Sequence, residues 1–134
     1  MSLIGVGTDI VEIARIEKAL KIYGERFITR ILTRKEILLL PPKKQGPWLA
    51  KRFAGKEAIV KALGCGFSQG VSWQDFSIAN NRFGQPQVEI QGVASKLWLE
   101  RVQGQEVPDI HLSLSDSRFY AVAFAVIEAP TAAR

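Results

Sequence analysis

Glu57 and Lys61 stand four residues apart in the stretch Arg52-Phe53-Ala54-Gly55-Lys56-Glu57-Ala58-Ile59-Val60-Lys61-Ala62-Leu63-Gly64, a spacing that puts both side chains on one sector of a helix. Ala50, Phe53, Ala54 and Gly64 share that sector, and small neighbours there leave room for a ligand. The apolar residues from Trp48 to Leu63 are spread around nearly the whole helix, which predicts burial on most sides. A carboxylate in such a place is costly unless it is paired or bound to a cation. Two accounts follow. Glu57 and Lys61 form an ordinary i,i+4 ion pair, or Glu57 holds a divalent cation while Lys61 faces an anion. The second account requires another carboxylate.

Asp9 is that carboxylate. Residues Leu3–Ile10 alternate, with Ile4, Val6, Thr8 and Ile10 on one face and Leu3, Gly5, Gly7 and Asp9 on the other, the pattern of a strand. Glycines in a strand mark a face that another backbone or a ligand approaches closely. Asp9 followed by Glu12 also reads as a capping-box variant opening the next helix. A third constellation, His111-x-Ser113-x-Ser115, lies on the polar face of a later strand as a row of hydrogen-bonding groups. A lone strand histidine that is simply hydrogen-bonded is the competing account.

The elements that position these groups can be placed in order. Val11–Leu20 and Glu25–Leu40 have helical spacing, interrupted at Gly24, with Arg26, Arg30 and Arg34 at four-residue steps along one face. Residues 41–47 carry three prolines and form a loop. After the central helix, Gly64, Gly66 and Gly70 supply a turn at its C-terminal end; glycines there do not make a phosphate loop, which precedes a helix. Gln74–Ala79 and Gln87–Gln91 form a hairpin, Val93–Gln103 an amphipathic helix, and residues 110–115 and 120–127 a second antiparallel hairpin. The fold class is α+β, an antiparallel sheet packed with a long buried helix.

A chain of 134 residues that is 47% hydrophobic is long enough to bury one core, and residues 1–134 are expected to form a single domain. Cys65 is the only cysteine, which excludes an internal disulfide and cysteine-based zinc sites. The N-terminal residues have no leader pattern and no run is long and apolar enough to span a membrane, so a soluble, cytoplasmic protein is expected. The net charge of +5 is concentrated: residues 15–44 carry nine Lys or Arg against three Glu, and the remaining chain is slightly acidic. An acidic partner is expected to meet that segment. A basic binding module without catalysis would use the same segment, yet it gives no reason for Asp9 beside glycines or for Glu57 in a buried sector. The run also matches no nucleic-acid motif.

Taken together, Gly7-x-Asp9, Arg52-Phe53-x-x-Lys56-Glu57-Ala58-x-x-Lys61-Ala62, Gly84-x-Pro86 and His111-x-Ser113-x-Ser115 resemble the 4′-phosphopantetheinyl transferases, most closely the short holo-acyl-carrier-protein synthase type. The resemblance runs from about Ile4 to Glu128. It departs at Asp116, where some members carry a second histidine. The resemblance implies the phosphopantetheinyl transferase fold and transfer of phosphopantetheine from coenzyme A to a serine of an apo acyl carrier protein, in fatty acid biosynthesis. It implies Mg²⁺, or Mn²⁺, between Asp9, Glu57 and the coenzyme A diphosphate. Asp9, Glu57 and Lys61 are the implied catalytic residues, with Glu57 the first candidate for the base. Arg52, Lys61, Gly64, Pro86, His111 and Ser113 are expected to contact coenzyme A, Arg52 near its 3′-phosphate. Arg15, Arg26, Phe27 and Arg30 are expected to dock the acidic carrier protein. Members of the short type assemble as trimers with active sites between subunits, so Asp9 and Glu57 of one chain are expected to meet His111 of the next.

Overall fold

A Cβ placed on Gly5 would lie 2.0 Å from the Ala62 carbonyl oxygen, and one on Gly7 would lie 2.1 Å from that of Ala58. The glycine face of the first strand is therefore the seat of a helix backbone, and the rest of the molecule is arranged about that contact. The computed structural model describes residues 2–102 and 106–129. Strand β1 spans Ser2–Glu12 and is followed by helices α1 (Ile13–Tyr23), α2 (Glu25–Ile31), α3 (Arg34–Ile37) and α4 (Gln45–Leu63). A 3₁₀ turn at Trp73–Asp75 leads into the hairpin β2 (Phe76–Asn80) and β3 (Pro86–Ile90). Helix α5 (Gly92–Val102), β4 (Asp109–Asp116) and β5 (Tyr120–Ala129) complete the chain.

Strand β5 lies between β1 and β4, antiparallel to both, and β2 pairs with β3 separately. On the inner face of the three-stranded sheet, Ala121, Ala123, Ala125 and Ile127 are fully buried. Small alanines let α4 lie close, and its own Leu49, Ala54, Ala58, Ile59 and Val60 fill the space. Burial of α4 on most sides is as its apolar distribution requires.

Three expectations are corrected. The helix predicted over Glu25–Leu40 is broken at Leu32 and Thr33. The Thr33 side chain accepts from the Glu36 amide while the Glu36 carboxylate accepts from the Thr33 amide, a capping box that starts a new helix. Arg34 therefore leaves the Arg26–Arg30 row. The central helix begins at Gln45, so Pro47 sits in its first turn, where no backbone donor is needed. The predicted strand over Gln74–Ala79 begins with the 3₁₀ turn instead, and the Gln103 end expected for α5 lies outside the described residues.

Candidate active site

Asp9 points toward α4 because it shares the inner face of β1 with Gly5 and Gly7. Lys61 answers from the helix: its Nζ donates to Asp9 Oδ1 and to the Thr8 carbonyl, both at 3.0 Å. The i,i+4 pair with Glu57 does not form. Among the described residues, the Glu57 side chain has no ion-pair or hydrogen-bond partner. Burial, followed by the charge of Asp9, pushes its carboxyl above the ordinary range, and Lys61 and Arg15 only partly oppose that. The capping account of Asp9 fails as well, since β1 continues to Glu12 and no side chain caps α1.

The space for a ligand is smaller than the sector suggests. Ala50 and Ala54 are fully buried, packed against neighbouring elements, so the open part is the C-terminal half of α4 around Glu57, Lys61 and Gly64. Gly64 ends the helix in the left-handed conformation, φ 77°, which a side chain would strain.

Arg52 turns away from this opening. Its Cζ lies 4.0 Å from the Trp48 ring centroid and its Nε is buried without a partner among the described residues. Burial holds the guanidinium below its ordinary value, with Glu36 opposing. In this arrangement the guanidinium packs against Trp48 and is largely buried, so it presents little of itself to a phosphate.

Pro86, His111 and Ser113 line one groove of about 810 Å³ with the β2–β3 turn, including Phe83. This groove lies along β4, on the opposite edge of the sheet from β1. Asp9 is paired with Ala123, which is paired with Leu114; His111 is three residues further along and on the other face. Successive strands are roughly 5 Å apart and residues roughly 3.4 Å apart along a strand, so one chain does not bring His111 to Asp9. The histidine is hydrogen-bonded, its Nε2 lying against Glu128 Oε1.

A second groove, about 460 Å³, is rimmed by Arg26 and Arg30 and floored by Tyr23, Phe27, Phe53 and Trp73. Phe53 and Trp73 stack at 5.0 Å between centroids, and Phe67 continues the stack at 4.0 Å from Trp73. Arg15 reaches over Phe53, its Cζ 6.0 Å from the ring centroid, and its charge is felt at Glu57. Of the residues expected to dock a carrier, Arg26, Phe27 and Arg30 line this groove; Tyr23 and Trp73, which also line it, carry no expectation from the sequence, and Phe53 was expected only in the sector of Glu57. Only the placement of Phe53 one turn before Glu57 could have signalled the join.

Lys56 was also missed. It is fully buried, and its Nζ donates to Glu36, to the Ile31 carbonyl at 2.7 Å and to the Trp73 carbonyl at 3.0 Å. Glu36 Oε2 in turn accepts from the Ile78 amide at 2.9 Å. Burial depresses the Lys56 pKa and Glu36 counteracts it.

The structure thus sets an antiparallel sheet on a buried helix, with two carboxylates and a lysine at their contact and a basic groove beside them. The chain belongs to the 4′-phosphopantetheinyl transferase superfamily, whose sequence pattern matches residues 5–125. It is 49% identical over 129 residues to the holo-[acyl-carrier-protein] synthase of Vibrio parahaemolyticus, covering 96% of this chain and 99% of that one. The crystal structure of the Neisseria meningitidis holo-[acyl-carrier-protein] synthase superposes with a TM-score of 0.82 at 39% identity, covering 95% and 99% of the two chains. That of Helicobacter pylori, solved in complex with coenzyme A, gives 0.77 at 31% identity, covering 92% and 99%. The fold expected from the sequence is thereby confirmed.

Proposed function

We propose that this chain transfers the 4′-phosphopantetheine group of coenzyme A to a serine of an apo acyl carrier protein, releasing 3′,5′-ADP. The observation that carries the reading is the link made by Arg15 and Phe53: Phe53 lines the groove of Arg26 and Arg30, and Arg15, which lies over its ring, is close enough for its charge to be felt at Glu57. A carrier docked in that groove would present its serine to the carboxylates. Arg15, Arg26 and Arg30 complement an acidic surface, and Phe27 anchors it.

Asp9 and Glu57 fit a hard divalent cation, Mg²⁺ or Mn²⁺. They are oxygen donors whose negative charges raise one another's cost, the Lys61 ammonium already rests on Asp9, and two carboxylates leave positions for diphosphate oxygens and water. When bound, the ion would neutralise charge on the diphosphate. Lys61 stabilises oxygens of the transferring phosphoryl group. The serine oxygen bonds to the pantetheine-side phosphorus as the bond from that phosphorus to the departing 3′,5′-ADP oxygen breaks. Glu57 takes the serine proton, the role its unpaired side chain beside Asp9 and Lys61 leaves it free to fill.

Coenzyme A lies in the groove of Pro86, His111 and Ser113, with Gly64 beside its path; Arg52 meets the 3′-phosphate once Trp48 moves off the guanidinium. Because that groove and Asp9 sit at opposite edges of one sheet, a second copy of the chain completes the site. The outer sheet face supports this, since Val6, Ile10, Val122 and Phe124 are all more than 40% exposed, an apolar surface that calls for a partner. The assembly proposed is a trimer of single-domain chains, acting in the cytoplasm in fatty acid biosynthesis.

Chromatography of 3′,5′-ADP tests the reading. Release should require coenzyme A, apo carrier and Mg²⁺ together. Binding of acidic proteins without any release would point instead to a binding module.

A further inference from the structure

Helix α2 is seven residues long, yet it carries Arg26, Phe27 and Arg30. So short a helix is not stable by itself, and its C-terminal carbonyls lack partners within the helix. The Ile28 carbonyl is taken by the Leu32 amide. The next four are all taken by two side chains from elsewhere. Gln74 Nε2 donates to the carbonyls of Thr29 at 2.8 Å, Arg30 at 2.7 Å and Leu32 at 3.4 Å. Lys56 Nζ takes that of Ile31.

These two anchors tie the helix to the catalytic element. Lys56 adjoins Glu57 on α4. Gln74 adjoins Trp73, whose ring floors the docking groove and whose carbonyl also binds Lys56. We infer that Gln74, together with Lys56, is a positioning residue for carrier recognition: it holds the end of α2 so that Arg26 and Arg30 keep a fixed distance from Glu57. The inference rests on the proposed docking of the carrier at this groove. Neither side chain touches coenzyme A or the reacting atoms.

Gln74 provides the cleaner test because it is only half-buried, whereas Lys56 lies in the core. Gln74→Met keeps length and net charge while removing both N–H donors, so any effect on the carrier reports the placement of α2 and not lost charge. The expected result is a KM for apo acyl carrier protein raised roughly tenfold, as for the loss of two hydrogen bonds. The KM for coenzyme A and kcat should change less than about twofold, within the scatter of substitutions outside a site. A general loss of structure would move all three together and would overturn the inference. An unchanged carrier KM in Gln74→Met, beside an increased one in Arg26→Glu, would overturn the positioning role alone. An unchanged carrier KM in Arg26→Glu would remove the docking reading, and the inference with it.

Discussion

Lys61 Nζ lies 3.0 Å from Asp9 Oδ1, joining the C-terminal half of α4 to the strand whose glycines admit the helix. The lysine thus spans from its own helix to β1 and leaves Glu57 unpaired among the described residues, with a carboxyl that burial and Asp9 hold partly protonated at higher pH than usual.

Lys61→Met should reduce kcat by on the order of a hundredfold or more, as expected when a charge that acts on the transferring group is removed. Carrier affinity, which the proposed docking assigns to arginines on α1 and α2, should be retained. Steady-state kinetics with each substrate varied in turn separates the two.

The Glu57 carboxyl is raised in the folded chain, so the native state holds a proton more firmly than the unfolded state. Its stabilising contribution is present below the ordinary glutamate range and is lost as pH rises through the folded pKa. Metal-free Glu57→Gln should accordingly melt at a higher temperature than the parent at neutral pH and close to it in acid. Mg²⁺ should raise the parent's melting temperature and leave the variant's nearly unchanged; thermal melts across pH give the comparison.

Gly7→Ala would drive a Cβ into the Ala58 carbonyl oxygen, backbone atoms that cannot swing aside. A loss on the order of 3 kcal/mol is expected from such overpacking, measured by urea unfolding. Activity should fall with it, because the same contact sets Asp9 against Lys61.

Most of this fold was legible because period and alphabet agreed. The alternation of β4 and β5 and of β1 from Gly5 to Ile10 stands where the sequence places it, as does the all-round apolar body of α4, and the glycines of β1 announced a close approach; a register shift between Leu3 and Gly5 takes Leu3 off that face. The break at Leu32–Thr33 was hidden because an apolar run continues across it; the capping box of Thr33 and Glu36 is visible only as a four-residue pattern inside that run. Long-range partners were less legible still. Nothing local in the sequence tells that Lys56 turns inward to Glu36 or that Phe53 and Trp73 line the basic groove together, whereas Trp48 and Arg52, four apart on one helix, are a pair that spacing could have offered. The Asp9–Glu57 association follows from what a half-buried carboxylate needs, which is a chemical requirement and not a periodicity.

The proposed sharing of the site between subunits has its own signature. Asp9→Ala and His111→Ala disable opposite edges of the sheet, so each pure variant should be nearly inactive. Mixed, subunit-exchanged assemblies of the two variants should recover a substantial fraction of parent activity, since some of the proposed interfaces then unite two intact edges. Phe124→Asp, on the exposed apolar face, should sediment as a smaller species and lose activity.

The most direct measurement is the intact mass of apo acyl carrier protein after incubation with this protein, coenzyme A and Mg²⁺. A mass gain of one phosphopantetheine group, absent with EDTA and absent with Glu57→Ala, is the predicted result. An unmodified carrier under the complete conditions, or a gain that persists with Glu57→Ala, would contradict the account.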